Sequence, residues 1–474
     1  MNMIKKKILL STALLMLMML SACTMGLDYQ RPEAMAPIQY KNDAPWKEAT
    51  PKDAEIKGEW WTIYNDPILN RLENQAAESN QSLQAAFARL SQAQASLGIS
   101  RSDQLPRVDL NASAKRQRTA ADLSITGSSI TASQYSSPLV ASYEIDLWGR
   151  VQRSVEAAEA NVAGAVADYQ NLLLSLQAEL ARTYFALRTV DSEINLLQQT
   201  IQLRKENRDL IKSKLTHGKV GQLDLSRAET ELAVTEAEAI GLELQRGEYE
   251  NAIALLIGQP ASSFTLEKGK ITLEIPQIDK GLPSDLLERR PDIASAERQM
   301  AAASASIGVA KTAFFPAISL TGSAGFASDQ ISSLTDWDNR TWGLGPAISL
   351  PFFDYGRNSS NLDKARAAYD EAVATYRNQV LIAFQEVENG LNAMQILDHQ
   401  AKALTQATKT AHEAWMLSEK RYRSGLVSYL EVVDTQRSAL QSERSLVQLK
   451  RNQMSYSVAL IKALGGGWQN THSH

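Results

Sequence analysis

Beyond its N-terminus the 474-residue chain has no run of about 20 apolar side chains, which excludes a membrane-spanning helix in the mature protein. Any membrane crossing must use strands. A single cysteine, Cys23, rules out an internal disulfide, and aromatics at only 7% with sparse Gly and Pro argue against a stack of large globular cores. The formal charge of -4 with no long Lys or Arg run makes nucleic acid an implausible partner. The five histidines, His217, His399, His412, His472 and His474, fall in no H-E-x-x-H helix and beside no G-x-S-x-G elbow. No enzyme activity, cofactor or metal site is therefore expected. Glu229, Glu231, Glu236 and Glu238 read as carboxylates on a solvated helix face.

What is present begins with Lys5, Lys6 and Lys7 followed by the apolar run from Ile8 to Leu20, the pattern of a signal peptide over residues 1–22. Leu20-Ser21-Ala22-Cys23 resembles the lipobox of bacterial lipoproteins. That resemblance implies cleavage before Cys23, acyl chains on its sulfur and amine, and, with Thr24 rather than Asp next, sorting to the outer membrane. Each buried lipid CH₂ contributes roughly 0.8 kcal/mol, so several chains anchor firmly.

The strongest organisational signal is an internal repeat at a spacing of about 207 to 210 residues. Ala95-Ser96-Leu97-Gly98 with Pro106 recurs as Ala305-Ser306-Ile307-Gly308 with Pro316, and Asp146-Leu147-Trp148-Gly149-Arg150 recurs as Asp354-Tyr355-Gly356-Arg357. Each half reads as helix, two strands, long helix, break, helix. Leu173, Leu176, Leu180, Tyr184, Leu187, Val190, Ile194, Leu197 and Ile201 follow a coiled-coil seam, matched by Val380, Ala383, Val387, Leu391, Met394, Leu397, Ala401 and Leu404. A helix from Arg150 to Leu215 is roughly 100 Å long at 1.5 Å per residue, far beyond the usual helix, and implies a rod or tube. Gly218 and Gly425 end these helices, Gly221 follows the first, and helices resume at Leu223 and Ser428.

Four segments alternate with period two. Val108, Leu110, Ala112 and Ala114 are separated by Arg107, Asp109, Asn111, Ser113 and Lys115; Leu139, Ala141, Tyr143, Ile145 and Leu147 by polar neighbours; Ile318, Leu320, Ala324 and Phe326, and Trp342, Leu344, Ile348, Leu350 and Phe352, behave likewise. Each is about as long as a tilted membrane strand. Open edges are not tolerated in lipid, so four strands must join those of other copies. Two chains supply eight strands and a filled interior, three supply twelve and a channel, and geometry favours three. Polar faces would line it and apolar faces meet lipid, with Gly127 to Ser137 and Ser328 to Asn339 as long outer turns.

These features resemble the TolC-like outer membrane factors, specifically the lipidated branch serving tripartite drug pumps. The likeness covers nearly the whole mature chain and is most specific at Tyr29-Gln30-Arg31-Pro32, at Trp60-Trp61 with Asp66-Pro67, and at the run from Gly281 to Asp292 containing Pro283, Arg289, Arg290 and Pro291. It implies a homotrimer with a 12-stranded transmembrane β-barrel continued by a 12-helix periplasmic α-barrel, α plus membrane β in class. The chain then divides into an anchor and equatorial segment (23–66), repeat 1 (67–258), a linker (259–291), repeat 2 (292–465) and a tail (466–474). Implied partners are outer-membrane lipid, a periplasmic adaptor and an inner-membrane transporter of the proton-driven resistance-nodulation-division class. Pro283 would open a short helix at Ser284, Pro291 would keep Arg290 out of the next helix, and Arg289 and Arg290 would bind belt carboxylates.

The implied function is the exit duct of a multidrug efflux pump; a duct for type I protein secretion is the alternative. A periplasmic adaptor is itself excluded by the repeat, since adaptors have one hairpin between lipoyl-like strands. The resemblance also carries adaptor contact to the breaks, at Gly218, Lys219, Val220, Gly221, Gly425, Leu426 and Val427, and a gate to Arg421, Tyr422, Leu430, Asp434 and Arg437. Leu430 and Asp434 lie four apart on one helix face, so threefold symmetry stacks an apolar ring on a carboxylate ring. Arg421 and Tyr422 are expected to tie the hairpin to neighbours through ion-pair and hydroxyl contacts. The equivalent first-half positions are Lys214, Leu215 and Arg227.

Overall fold

The computed structural model describes residues 28–30, 58–125, 127–269, 276, 278 and 289–466. The signal peptide, Cys23, Arg31, Pro32, residues 281–288 with the helix expected at Ser284, and His472 and His474 lie outside the described residues. In chain order the elements are α1 (Pro67–Ser79), α2 (Gln81–Ser102), β1 (Arg107–Leu110), β2 (Ser113–Thr119), β3 (Ile130–Glu144), α3 (Arg150–Thr216), α4 (Gln222–Leu256), α5 (Pro291–Thr312), β4 (Ala317–Ser328), β5 (Arg340–Ser349), α6 (Arg357–Arg423) and α7 (Tyr429–Ala463). The chain forms two compact units. Of the described residues, one unit comprises 28–30, 89–125, 127–166 and 295–377; the other comprises 58–88, 167–269, 276, 278, 289–294 and 378–466.

The first unit holds the sheet. All pairings are antiparallel, in the order β1 and β2 on one edge, then β3, β4 and β5. β1 and β2 keep one register on β3, Leu110 opposite Leu139 and Ser113 opposite Ser136, so they are a single strand interrupted where it faces Pro138. Proline has no N–H to give the ladder, although the Asn111 amide still donates to the Pro138 carbonyl at 2.9 Å. Gly325 lies opposite Pro138, where a β-carbon would stand 2.4 Å from the proline Cα. The turn expected from Gly127 to Ser137 is corrected: β3 already begins at Ile130. Its Ser/Thr composition suggested a loop, yet β-branched and hydroxyl residues also suit a strand whose faces carry little apolar bulk. The second expected turn does connect β4 to β5, through short 3₁₀ turns at Ile331–Ser333 and Trp337–Asn339.

The second unit is helical. A 3₁₀ turn, Trp60–Tyr64, leads to Asp66, whose carboxylate accepts from the amides of Ile68 and Leu69 at 2.9 and 3.1 Å and so caps α1, with Pro67 at its first position. Trp60, Trp61 and Tyr64 pack with Tyr184, Phe185, Ile253, Ile257, Met454, Val458 and Ile461 in one apolar cluster. The first seam is buried at Leu176, Leu180, Tyr184, Leu187, Val190, Ile194 and Leu197. In the second, Val380, Ala383 and Val387 are buried, whereas Leu391, Met394, Ala401 and Leu404 are only half-buried. α3 and α6 each have 67 residues and α4 and α7 each have 35. Gly218 and Gly425 take φ of +69° and +76°, the left-handed geometry that ends each long helix.

Candidate functional site

Residues paired across an antiparallel sheet point to the same side, so the register assigns each strand's faces. One face carries Val108, Leu110 and Ala114, then Tyr135, Leu139, Ala141 and Tyr143, then Ile318, Leu320, Ala324 and Phe326, then Trp342, Leu344, Pro346 and Ile348. The other carries Arg107, Asp109, Ser113, Lys115 and Gln117, with Gln134, Ser136 and Ser142, Ser319, Thr321 and Ser323, and Thr341, Gly343 and Gly345. Many of the large apolar side chains are bare: Val108, Leu110, Leu139, Trp342, Leu344 and Ile348 are all exposed, and Trp342 is 80% so. Such a contiguous apolar face is an interaction surface rather than a monomer's exterior. Aromatics bound it at both ends: Trp337 and Trp342 at the loop end, and Phe314, Phe352, Phe353 and Tyr355 at the helix end, all exposed. An apolar band between aromatic girdles is the outward face of a membrane β-barrel.

At the helical breaks, the two hairpins meet in an apolar cluster of Ile211, Leu225, Ala228, Tyr429, Val432 and Val433, with Leu215, Val220 and Tyr422 against it. Tyr422 is half-buried. Its ring lies 5.6 Å from that of Tyr429 and has the Lys214 ammonium over its face at 4.3 Å, a cation–π contact from the first hairpin. Burial, and then the charge of Asp224, push the Tyr422 hydroxyl above its ordinary pKa, and burial pushes Tyr429 up to about 12. The hydroxyl bond expected of Tyr422 is not made among the described residues; packing holds this ring instead. Arg421 reaches Glu431 of its own hairpin at 3.8 Å rather than a neighbour. Leu430 and Asp434 are exposed on α7, as are the tip residues Gly218, Lys219, Gly221, Gly425 and Leu426, while Val220 and Val427 are half-buried.

Arg437 is ion-paired with Glu231 of α4. This corrects the reading of Glu231 as solvated: it is 6% exposed, and its second oxygen is 3.1 Å from Arg204. The Arg204 guanidinium is buried as well and donates to the Glu231 carbonyl at 2.6 Å and to the Thr235 hydroxyl. Burial draws Arg204 below its ordinary pKa against the opposing pull of Glu231, whereas the Glu231 hydrogen bond raises Arg437. Glu231 therefore has two cationic partners, one buried and one at the surface. Sequence spacing offered no sign of it, because Arg204 lies 27 residues away and Arg437 lies 206 away.

Two further charge clusters sit deeper in the same unit. Asp191 accepts from Arg188 at 3.1 Å, from Arg246 at 2.7 Å and from the Gly269 amide at 3.0 Å, while the two arginines donate onward to the carbonyls of Glu267 and Leu266. Arg188 also donates to the hydroxyl of Tyr184, which in turn donates to Asp66. In the second cluster Arg290 pairs with Asp292 and Glu386, both at 2.6 Å, and donates to the Ala463 carbonyl at 2.9 Å. This is the carboxylate binding expected of Arg290. Burial works to raise the Asp292 carboxyl, but the Arg290 guanidinium outweighs it and holds Asp292 below the usual carboxylate value.

A family model described as outer membrane efflux protein matches residues 72–259 and 282–466. The solvent efflux pump outer membrane protein SrpC of Pseudomonas putida is 35% identical over 95% of this chain and 97% of its own length. The outer membrane protein OprJ of Pseudomonas aeruginosa is 34% identical over 98% and 96%. The crystal structure of the open state of the MtrE outer membrane channel of Neisseria gonorrhoeae superposes with a TM-score of 0.83 at 31% identity, covering 95% of this chain and all of that one.

Proposed function

The chain belongs to the outer membrane efflux protein family, and from that premise we propose that it is the lipid-anchored exit duct of a tripartite pump for drugs or solvents, closed at its helical breaks. The chain is an outer-membrane efflux channel of the TolC type, and the family consists of channels rather than enzymes. One observation carries the reading: four strands whose register gathers the large apolar side chains on one exposed face, with both outer edges unpaired among the described residues. Each unpaired backbone group in lipid costs several kcal/mol, so copies must close edge to edge. Three copies make twelve strands and leave a lumen lined by the Ser, Thr and Gly face. The half-buried seam of α6 fits the same assembly, since its remaining cover would come from the helices of other copies.

Conduction needs no chemistry from this chain. A width and a charge suffice, and energy enters through an adaptor and an inner-membrane transporter of the resistance-nodulation-division class. Cys23 supplies the anchor, and the tips from Gly218 to Gly221 and from Gly425 to Val427 receive the adaptor. Arg421, Tyr422, Leu430, Asp434 and Arg437 make the gate, with Glu431 and Glu231 added to that set. Leu430 and Asp434 form successive rings at the narrow end, and the Tyr422 packing together with the Arg437 to Glu231 tie holds the second hairpin against the first. Adaptor binding shifts the gate only by its differential affinity for open and closed forms.

Tyr422→Ala combined with Asp434→Ala tests the gate in planar bilayers, the first removing the ring that packs on Tyr429 and Lys214 and the second the carboxylate. The expected outcome is a higher single-channel conductance from an intact trimer. An assembled trimer with unaltered conductance rules the assignment out.

A further inference from the structure

The apolar face of the sheet does not end in water-seeking neutral side chains at its loop end. It ends in arginines. Arg116 pairs with Ser133, Arg118 with Thr131 and Arg340 with Phe326, and this register puts all three guanidinium groups on the face that carries Leu110, Leu139, Leu344 and Trp342. Lys115, one residue away, points to the opposite face with Gln134. Among the described residues none of the three arginines is in a salt bridge. Arg118 donates to the Ser129 hydroxyl at 3.2 Å, and Arg340 donates to the Trp337 carbonyl at 2.7 Å with its guanidinium 4.8 Å from the Trp337 ring centre. The acids of this end, Asp122, Asp329, Asp336 and Asp338, fall in the connections beyond the strands. Along the face the order is therefore apolar band, aromatic and guanidinium layer, then acidic turns.

We propose that Arg116, Arg118 and Arg340 form a binding site for the phosphates of a phosphorylated outer-leaflet glycolipid. The inference rests on the reading that these strands cross the outer membrane with the loops outward. A guanidinium held at the rim of an apolar band meets the depth at which acyl chains give way to charged headgroups, and its planar fork matches a phosphate with two parallel hydrogen bonds. β2 and β5 are the two edges of the sheet. When copies join edge to edge, the β5 edge that carries Arg340 meets the β2 edge that carries Arg116 and Arg118 of the next, so the cluster is complete only in the assembly. Trp337 and Trp342 supply the amphipathic flank that such a depth favours. The acidic turns above repel a second layer of anions and leave the phosphate layer to the arginines.

The trimer in detergent is titrated with lipid A carrying both phosphates and with the same lipid enzymatically dephosphorylated, and bound lipid is counted by native mass spectrometry. The wild type should prefer the phosphorylated lipid by at least about tenfold, the scale of one charge-assisted hydrogen bond. R116Q, R118Q and R340Q together should abolish the preference, and Lys115→Gln on the opposite face should leave it intact. Equal binding of the two lipids by the wild type overturns the proposal without recourse to any variant. So does a preference that survives the triple substitution. Planar-bilayer conductance of the wild type is recorded in parallel: its absence overturns the strand reading and this site together, whereas a conducting channel with no lipid preference overturns the site alone.

Discussion

Each half of the chain fixes its deep end with one buried charge cluster, and the two clusters are inverted. In the first half a carboxylate, Asp191, is the centre and two arginines surround it; in the second an arginine, Arg290, is the centre and two carboxylates surround it. The residue 207 positions after Asp191 is again an aspartate, Asp398, but its side chain is 60% exposed and pairs with Lys402 one turn on, whereas the Asp191 side chain is 1% exposed. The breaks differ in the same way. Asp224 pairs with Arg227 three residues on in the first hairpin, and the equivalent positions of the second are the acids Glu431 and Asp434. The two halves share their helix lengths, 67 and 35 residues, but not the placing of their charges. At the second break Glu431 has Arg421 within 3.8 Å, and Asp434 takes the position that Arg227 holds in the first.

The largest test of that contrast replaces one aspartate at a time. Asp191→Asn removes the only carboxylate that Arg188 meets among the described residues and leaves Arg246 with Glu250 alone; the expected cost is about 3 to 5 kcal/mol, read as a lower urea midpoint of the assembled protein. A cost below about 1 kcal/mol would mean that the brace is dispensable. Acid probes the inverted cluster next. Because Asp292 titrates below its unfolded value of 3.8, its contribution is complete above that value and disappears as pH falls through the lower folded pKa. The urea midpoint should therefore drop below about pH 4, and the drop should be shallower in Asp292→Asn, which starts from a lower stability at neutral pH.

Smaller still is Arg437→Gln. Glu231 keeps its buried partner Arg204, so the loss should be only about 0 to 1 kcal/mol, with conductance raised less than by the Tyr422 and Asp434 pair. A loss as large as that of Asp191→Asn would make Arg437 a structural brace and remove it from the gate. At the bottom of the series stands Asp398→Asn, expected to stay within about 0.5 kcal/mol of the parent by the same urea measurement.

Periodicity made the architecture readable from the sequence. Heptad seams and period-two alternation are local signals, so the long helix placed from Arg150 to Leu215 ends one residue later, at Thr216. The strand faces followed from the same alternation. What escaped was everything joined across long separations. Glu231 stands in a run of glutamates that reads as a wet surface, and only the approach of α3 and α7 buries it. In the Asp191 brace only Arg188, three residues away, is a local partner; Arg246 comes from α4, and the Gly269 amide and the carbonyls that accept from the two arginines come from the linker and carry no side-chain pattern. At β3 the first eight residues read in sequence as a turn, since a strand with little apolar bulk is written in the same Ser and Thr letters as a loop.

The equal element lengths carry a consequence for how such a chain changes over generations. With 67 and 35 residues on both sides, the two breaks stay level only while both hairpins keep the same count. A deletion in one gene half draws its break back by about 1.5 Å per residue lost and pulls Tyr422 off the Lys214 ammonium. A compensating deletion in the other half restores the match. Insertions and deletions in these helices should therefore be inherited in pairs, one in each half, even where the amino acids around them have diverged beyond recognition.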